Sequence, residues 1–183
     1  MKNILFVILG FATMYSASVF AKDEVYMELG GTSFTYQETY SNATYTWGSG
    51  TATRIVLGAN VSDDFALEAI YATGISSGNL TISGYSTSVA LNSIYGFYVK
   101  PKIVLSENVV LFSRLGYANT TGTATIPAIN YTSQASTGST LSYGFGASYK
   151  LSDKASVNLD YMVYSYKSSY NVTGTTAGFG YKF

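Results

Sequence analysis

The sequence predicts an all-β fold: an eight-stranded antiparallel up-and-down β-barrel that crosses a membrane with its strands, after a cleaved signal peptide. Three observations carry this prediction. Charged residues make up 11% of the 183 residues while aromatic residues reach 16%, whereas a soluble domain carries roughly 25% charge. Long β-compatible runs alternate between an apolar or aromatic set and a small or polar set. A short polar turn recurs as Val61-Ser62-Asp63-Asp64, Leu105-Ser106-Glu107-Asn108 and Leu151-Ser152-Asp153-Lys154, at spacings of 44 and 46 residues. Each spacing is one double hairpin, and tight turns on one side with longer connections on the other are the pattern of a barrel in a bilayer.

Two segments follow from composition: a leader over 1–21 and a barrel domain over 22–183. In the leader, Lys2 is the basic start, 4–12 the apolar stretch and Val19-Phe20-Ala21 the small-residue motif, so cleavage is expected between Ala21 and Lys22. Residues 4–20 of the leader are interrupted by Thr13, Ser16 and Ser18, and are short for a spanning helix of roughly 20 residues. No later run is long and apolar enough to form such a helix, so insertion of the remainder must use strands.

The first strand is expected over 24–36, with Glu28 turned inward. The second, 51–61, puts Ile55, Leu57 and Ala59 outward and Arg54 inward; the third, 65–73, puts Phe65, Leu67, Ala69 and Tyr71 outward and Glu68 inward. The fourth, 89–105, is long enough to extend past the bilayer, since about ten tilted residues cross the apolar band. The fifth, 109–118, carries Leu111, Leu115 and Tyr117 on its outer face and Arg114 on the other. In the sixth, 140–151, Tyr143, Phe145, Ala147, Tyr149 and Leu151 alternate with Gly144, Gly146, Ser148 and Lys150. The seventh, 155–166, alternates Val157, Leu159, Tyr161 and Val163 with Asn158, Asp160, Met162 and Tyr164. The eighth, 172–183, alternates Phe179, Tyr181 and Phe183 with Gly178, Gly180 and Lys182. Connections near 38–50, 74–88, 119–138 and 166–171, rich in Ser, Thr, Gly and Asn, are expected as external loops.

This phase sends every mid-strand charge to the lumen: Glu28, Arg54, Glu68, Arg114 and Asp160. The assignment is energetically forced, because an Arg facing lipid at mid-bilayer costs about 2–4 kcal/mol. The five are expected to form one layer, an ion-pair network filling a narrow interior; a polar plug or gate is the functional alternative. Glycines 96, 116, 144, 146 and 180 share the inward parity and make room for inward Tyr98 and Phe112. The polarity is the inverse of a soluble ligand-binding barrel, whose outside is charged.

Segment 105–117, Leu-Ser-Glu-Asn-Val-Val-Leu-Phe-Ser-Arg-Leu-Gly-Tyr, and the ending Gly-Phe-Gly-Tyr-Lys-Phe over 178–183 resemble the small outer-membrane β-barrel families, the OmpA transmembrane domain and the OmpX/Ail group. The resemblance spans the whole mature region and implies residence in the bacterial outer membrane. It also implies that Phe179, Tyr181 and Phe183 form the C-terminal signal read by the barrel assembly machinery during insertion. A second use for the same rings is an aromatic girdle at the membrane interface. The chain stops at Phe183, so the wall-binding domain of full-length OmpA proteins is not expected.

Several functions are excluded or disfavoured by composition. Ten basic and ten acidic residues cancel, and loss of the leader removes only Lys2; a net charge of −1 is no footprint for nucleic acid. Cysteine and histidine are both absent. Disulfides and thiol nucleophiles are therefore ruled out, as are the commonest general base and metal ligand. No enzyme activity and no cofactor are expected; the lipid-modifying barrel enzymes, weighed as a less favoured alternative, use a catalytic histidine. The expected role is structural or surface-interacting, adhesin-like, in a monomer surrounded by outer-membrane lipid, with a narrow porin-like channel as the alternative. Tyr40, Tyr45, Trp47, Tyr85, Tyr131 and Tyr170 are the candidate loop contacts to a surface ligand or host-cell partner, since Tyr among Ser, Gly and Asn supplies adaptable contact area.

Overall fold

The structure is a computed structural model that describes residues 25–41, 43–82 and 84–183; the leader and the Ala21–Lys22 junction lie outside the described residues. The strands are β1 (Val25–Tyr40), β2 (Ala43–Asn60), β3 (Phe65–Gly74), β4 (Gly78–Ile82), β5 (Tyr85–Val104), β6 (Val109–Ile126), β7 (Tyr131–Lys150), β8 (Ala155–Lys167) and β9 (Tyr170–Lys182). Hydrogen-bonded neighbours run β3-β2-β1-β9-β8-β7-β6-β5, and β5 pairs back onto β3. All pairs are antiparallel, with Glu28 opposite Gly180 where β1 meets β9 and Glu68 opposite Tyr98 where β3 meets β5. Eight strands thus form a closed ring, which leaves no edge for its backbone groups to be stranded in lipid.

The short strand β4 is additional to the expected eight. It pairs with the outer part of β5, Gly78 opposite Val89 through Ile82 opposite Tyr85, and so takes over that edge where β3 has ended.

The three repeated turns form alike. Val61 N and Ser62 N both donate to Phe65 O, at 2.9 and 3.2 Å; Leu105 and Ser106 donate to Val109 O, at 2.9 and 3.3 Å; Leu151 and Ser152 donate to Ala155 O, at 2.8 and 3.2 Å. Both described ends of the chain lie at this same end, where Phe183 N donates to Val25 O at 3.0 Å. Short turns are periplasmic in such barrels and long connections external, which orients the molecule.

The external connections are more ordered than their composition suggests. Segment 119–138, expected as a loop, is mostly ladder: Thr121 to Ile126 pair with Ser136 to Tyr131, joined by a 3₁₀ turn over Pro127–Ile129 and Asn130 at φ 51°. Segment 38–50 likewise belongs largely to β1 and β2. Thr is frequent in both stretches, and a β-branched side chain suits a pleated ladder as well as it suits a solvated loop. At about 3.3 Å per residue, strands of this length extend well beyond an apolar band about 25 Å tall even when tilted.

The outer face carries Leu29, Leu67, Phe97, Leu115, Phe145, Leu159 and Phe179, all exposed, as a lipid-facing surface requires. Inside, Phe34, Val56, Ile70, Leu91, Ile94, Tyr98, Met162, Tyr164 and Val172 pack as one apolar cluster. The expected inward glycines make the room for inward rings: a Cβ on Gly96 would lie 2.9 Å from the Tyr98 ring and one on Gly146 2.6 Å from Phe112 Cζ.

Four register shifts mark the external half, at Phe34/Tyr36, Leu91/Ser93, Asn119/Thr121 and Val163/Ser165. Each inserts an extra residue and breaks the period-two alternation. Two expectations change as a result. Val163 is not on the open outer face but 9% exposed, followed by fully buried Tyr164 and Ser165, and the loop candidate Trp47 turns inward to 8% exposure. Counted straight from inward Arg54, Trp47 would face out; the extra residue at Gly48-Ser49 reverses that parity.

Candidate functional site

The lumen holds two features stacked along the barrel axis. The first is a charged layer toward the periplasmic end. Glu28 from β1, Arg54 from β2, Glu68 from β3, Arg114 from β6 and Asp160 from β8 all occupy it, each at most 5% exposed. The inward pleat of each strand puts them there.

Arg114 is the hub. Its Nε donates to Glu68 Oε2 at 2.5 Å, its Nη1 to Asp160 Oδ2 at 2.7 Å and its Nη2 to Glu28 Oε2 at 2.8 Å. Arg54 grips Asp160 through both terminal nitrogens, Nη1 to Oδ1 at 2.7 Å and Nη2 to Oδ2, and also reaches Tyr164 Oη at 3.1 Å. Paired donors of this kind match a carboxylate's geometry and are among the strongest side-chain hydrogen bonds.

A sixth member was missed by sequence reasoning. Lys100 on β5 lies 2.7 Å from Glu28 Oε1 and 2.8 Å from Glu68 Oε1. Two signals could have found it: its parity matches inward Tyr98, and the five expected charges sum to −1, an imbalance that a buried layer must neutralise. With Lys100 the layer is neutral, three cations against three carboxylates. Aromatic rings complete its floor: Phe112 lies 4.4 Å from Lys100 Nζ and 4.6 Å from Arg114 Cζ, and Tyr26 donates its hydroxyl to Glu68 Oε1 at 2.6 Å.

Above this layer the apolar cluster closes the lumen. Tyr98 Oη sits 2.9 Å from Ser142 Oγ, which donates to Val163 O at 2.8 Å, and Thr32 and Thr176 hydroxyls meet at 2.7 Å. On the periplasmic side a polar cavity of about 900 Å³ opens between Lys102, Lys150, Asp153 and Asn158.

The second feature is an external cavity of about 400 Å³ above the apolar closure, lined by Phe34, Trp47, Val89, Leu91, Thr120 and Val172 among others. Trp47 donates its indole N–H to Thr87 Oγ1 at 3.0 Å, and Thr87 donates onward to Leu80 O at 2.8 Å, tying β2, β5 and β4 together at the mouth. Tyr36 packs against Trp47 with ring centroids 5.2 Å apart. Burial, and secondarily the Glu38 carboxylate, push the Tyr36 hydroxyl at this rim up to about 12.

The remaining candidate contacts divide. Tyr85 and Tyr131 are 55% and 49% exposed near the hairpin tips; Tyr45 and Tyr170 are half-buried, and the side chain of Tyr40 lies outside the described residues. At the opposite end Phe179, Tyr181 and Phe183 face outward as expected, 48%, 41% and 47% exposed, with Tyr181 and Phe183 in edge contact at 5.5 Å.

Residues 5–183 match the family described as outer membrane protein beta-barrel domain. A comparison with curated proteins gives no match. Among solved structures the chain is similar to Ail, the attachment invasion locus protein of Yersinia pestis, in its complex with the heparin analogue sucrose octasulfate, with a TM-score of 0.62 at 15% identity over 89% of this chain and 100% of that one. It is similar to Neisserial surface protein A (TM-score 0.61, 14% identity, 87% of this chain and 97% of that one). It is also similar to OprG from Pseudomonas aeruginosa (0.52, 13%, 90% and 98%). At such identities the likeness is one of fold. A closed eight-strand ring with a lipid-compatible exterior, matched to that family over nearly its whole length, makes the chain a member of the outer-membrane β-barrel domain family, located in the bacterial outer membrane.

Proposed function

We propose that this protein is a non-enzymatic, monomeric surface barrel whose long external hairpins recognise a partner at the cell surface, while its lumen is a structural stopper. The observation that carries this reading is the sealed interior: a neutral six-charge layer and an apolar cluster occupy the lumen beneath hairpins that stand above the bilayer. The hairpin segments 38–50, 74–88, 119–138 and 166–171 carry one acidic and one basic residue, Glu38 and Lys167. That balance favours an uncharged partner contacted through Tyr and hydroxyl groups, unlike the sulfated ligand in the Ail complex. The absence of histidine supports a non-enzymatic role.

A narrow channel is the second reading, favoured by cavities on both sides of the stopper. Single-channel recording on refolded protein in planar bilayers separates the two. A silent membrane under applied voltage, together with adhesion lost when the tips of the β4–β5 and β6–β7 hairpins are exchanged for Gly-Ser, supports recognition. Reproducible discrete openings in the unmodified protein would replace this reading with transport.

A further inference from the structure

We propose that the external mouth of the barrel is a binding site for a compact, uncharged molecule with an apolar body and one hydrogen-bonding group. This goes beyond recognition by the exposed hairpin tips and rests on the inward-facing residues of the same hairpins.

The cavity has the volume of a small-molecule site, about 400 Å³, within the range of roughly 300–1,000 Å³ typical of ligand pockets. It is a dead end, because Tyr164, Met162 and Ile94 beneath it are at most 1% exposed and the charged layer lies below them. A blind pocket of this size fits a small molecule better than a length of extended chain.

Its walls specify the chemistry. Phe34, Val89, Leu91 and Val172 are apolar and at most 8% exposed. The Trp47 indole N–H is already committed to Thr87, so the tryptophan offers the pocket only its ring. One polar atom stands apart. Thr120 Oγ1 is buried and without a hydrogen-bond partner, and Thr120 is 4% exposed and lines the cavity. A buried hydroxyl left unpaired is costly; a turn of the Thr120 side chain toward the cavity that the residue lines would let an entering molecule satisfy it. Among the described residues Glu38 is the only charged one lining the cavity, and it sits at the rim beside Tyr36 Oη, 3.5 Å away, so none of the described lining residues deeper in would compensate a buried ionic group.

The chain carries its own reporter, since Trp47 is its single tryptophan and lines the cavity. Protein refolded into phospholipid nanodiscs is titrated with 4-bromobenzyl alcohol, whose bromine quenches indole emission on contact. The expected result is saturable quenching that is competed by unbrominated benzyl alcohol and absent with 4-bromobenzoate. Ala135→Phe, which fills the cavity from β7, weakens it at least tenfold. Thr120→Val weakens the alcohol several-fold and leaves 4-bromotoluene unchanged, which isolates the hydroxyl contact from any general loosening. Partition of probe into lipid is read from Trp47→Phe/Phe97→Trp, with the reporter on the lipid-facing surface. Heat-modifiable migration on a detergent gel verifies that each variant is folded. Quenching of Trp47 that rises linearly without saturation, or matches that of the lipid-facing reporter, overturns the proposal.

Discussion

Arg114 and Glu68, forty-six residues apart, meet twice in the barrel interior: Nε to Oε2 at 2.5 Å and Nη2 to Oε1 at 3.2 Å. Because the same guanidinium also reaches Glu28 and Asp160, one side chain on β6 ties together β1, β3 and β8. These strands are not its ladder neighbours, so the layer braces the ring across its diameter, where backbone hydrogen bonds cannot reach.

Removing that hub leaves three carboxylates facing one another with Arg54 and Lys100 alone to compensate. Breaking a buried ion pair from one side costs about 3–5 kcal/mol, because the abandoned charge stays desolvated. Arg114→Ala is therefore expected to lose stability of that order in urea unfolding of protein refolded into phospholipid vesicles. An unchanged midpoint and slope would show that the layer contributes nothing.

Lys100→Met should cost less, about 1–3 kcal/mol. Glu28 keeps Arg114, and Glu68 keeps both Arg114 and the Tyr26 hydroxyl. Lys100 also lines the periplasmic cavity, where water can enter to solvate what the ammonium leaves behind. The same unfolding assay tests the order of the two variants, and a Lys100→Met loss equal to that of Arg114→Ala would contradict the assignment of Arg114 as the hub.

The charged layer was largely legible in the sequence because two independent constraints agree there. Period-two alternation gave the phase, and the cost of a charge in lipid gave its sign, so Glu28, Arg54, Glu68, Arg114 and Asp160 could be turned inward together. Lys100 escaped because it stands next to Pro101 near the end of a long run, where charge is also expected at a water interface. Above the layer the reading failed for a different reason. A bulge leaves no mark in the hydrophobic pattern when the residues around it are small and polar, as at Gly48-Ser49 beside Trp47, or when both pleats carry apolar residues, as at Met162-Val163-Tyr164, so the inward turn of Trp47 and the burial of Val163 could not be read from alternation. The pocket that these bulges help to shape was invisible in the sequence for the same reason.

Glycine placement gives a test of interior packing. A Cβ on Gly146 would come within 2.6 Å of Phe112 Cζ, Asp160 Cβ and Leu159 O at once, and the backbone oxygen cannot yield as a side chain can. Gly146→Ala should thus push Phe112 from beneath Arg114 and cost about 1–3 kcal/mol, the usual penalty for overpacking. Gly31→Ala is the control: nothing lies within 4 Å of its Cβ position, and replacing a strand glycine at an open site should be neutral or stabilising by up to about 1 kcal/mol. Equal unfolding midpoints for the two variants would argue that the interior adjusts freely.

Phe183 allows assembly to be separated from stability. Its backbone N–H closes the C-terminal end onto Val25 O, a bond that Phe183→Ala retains. Its ring is 47% exposed on the outward surface and touches Tyr181 at one edge, so truncation loses a partial protein contact and some contact with the membrane interface and should cost the folded barrel at most about 1.5 kcal/mol, the low end of the roughly 1.5–3 kcal/mol of a fully buried large side chain. If Phe179, Tyr181 and Phe183 are read during insertion, the same change should lower the amount of barrel in the outer-membrane fraction of growing cells by at least fivefold. Quantitative immunoblotting of that fraction, set beside urea unfolding of the refolded variant, distinguishes the roles. Losses in both assays would mean that the ring acts through stability alone, as part of an interfacial girdle. A large loss in cells with a normal unfolding curve means that the exposed ring matters before the barrel has closed.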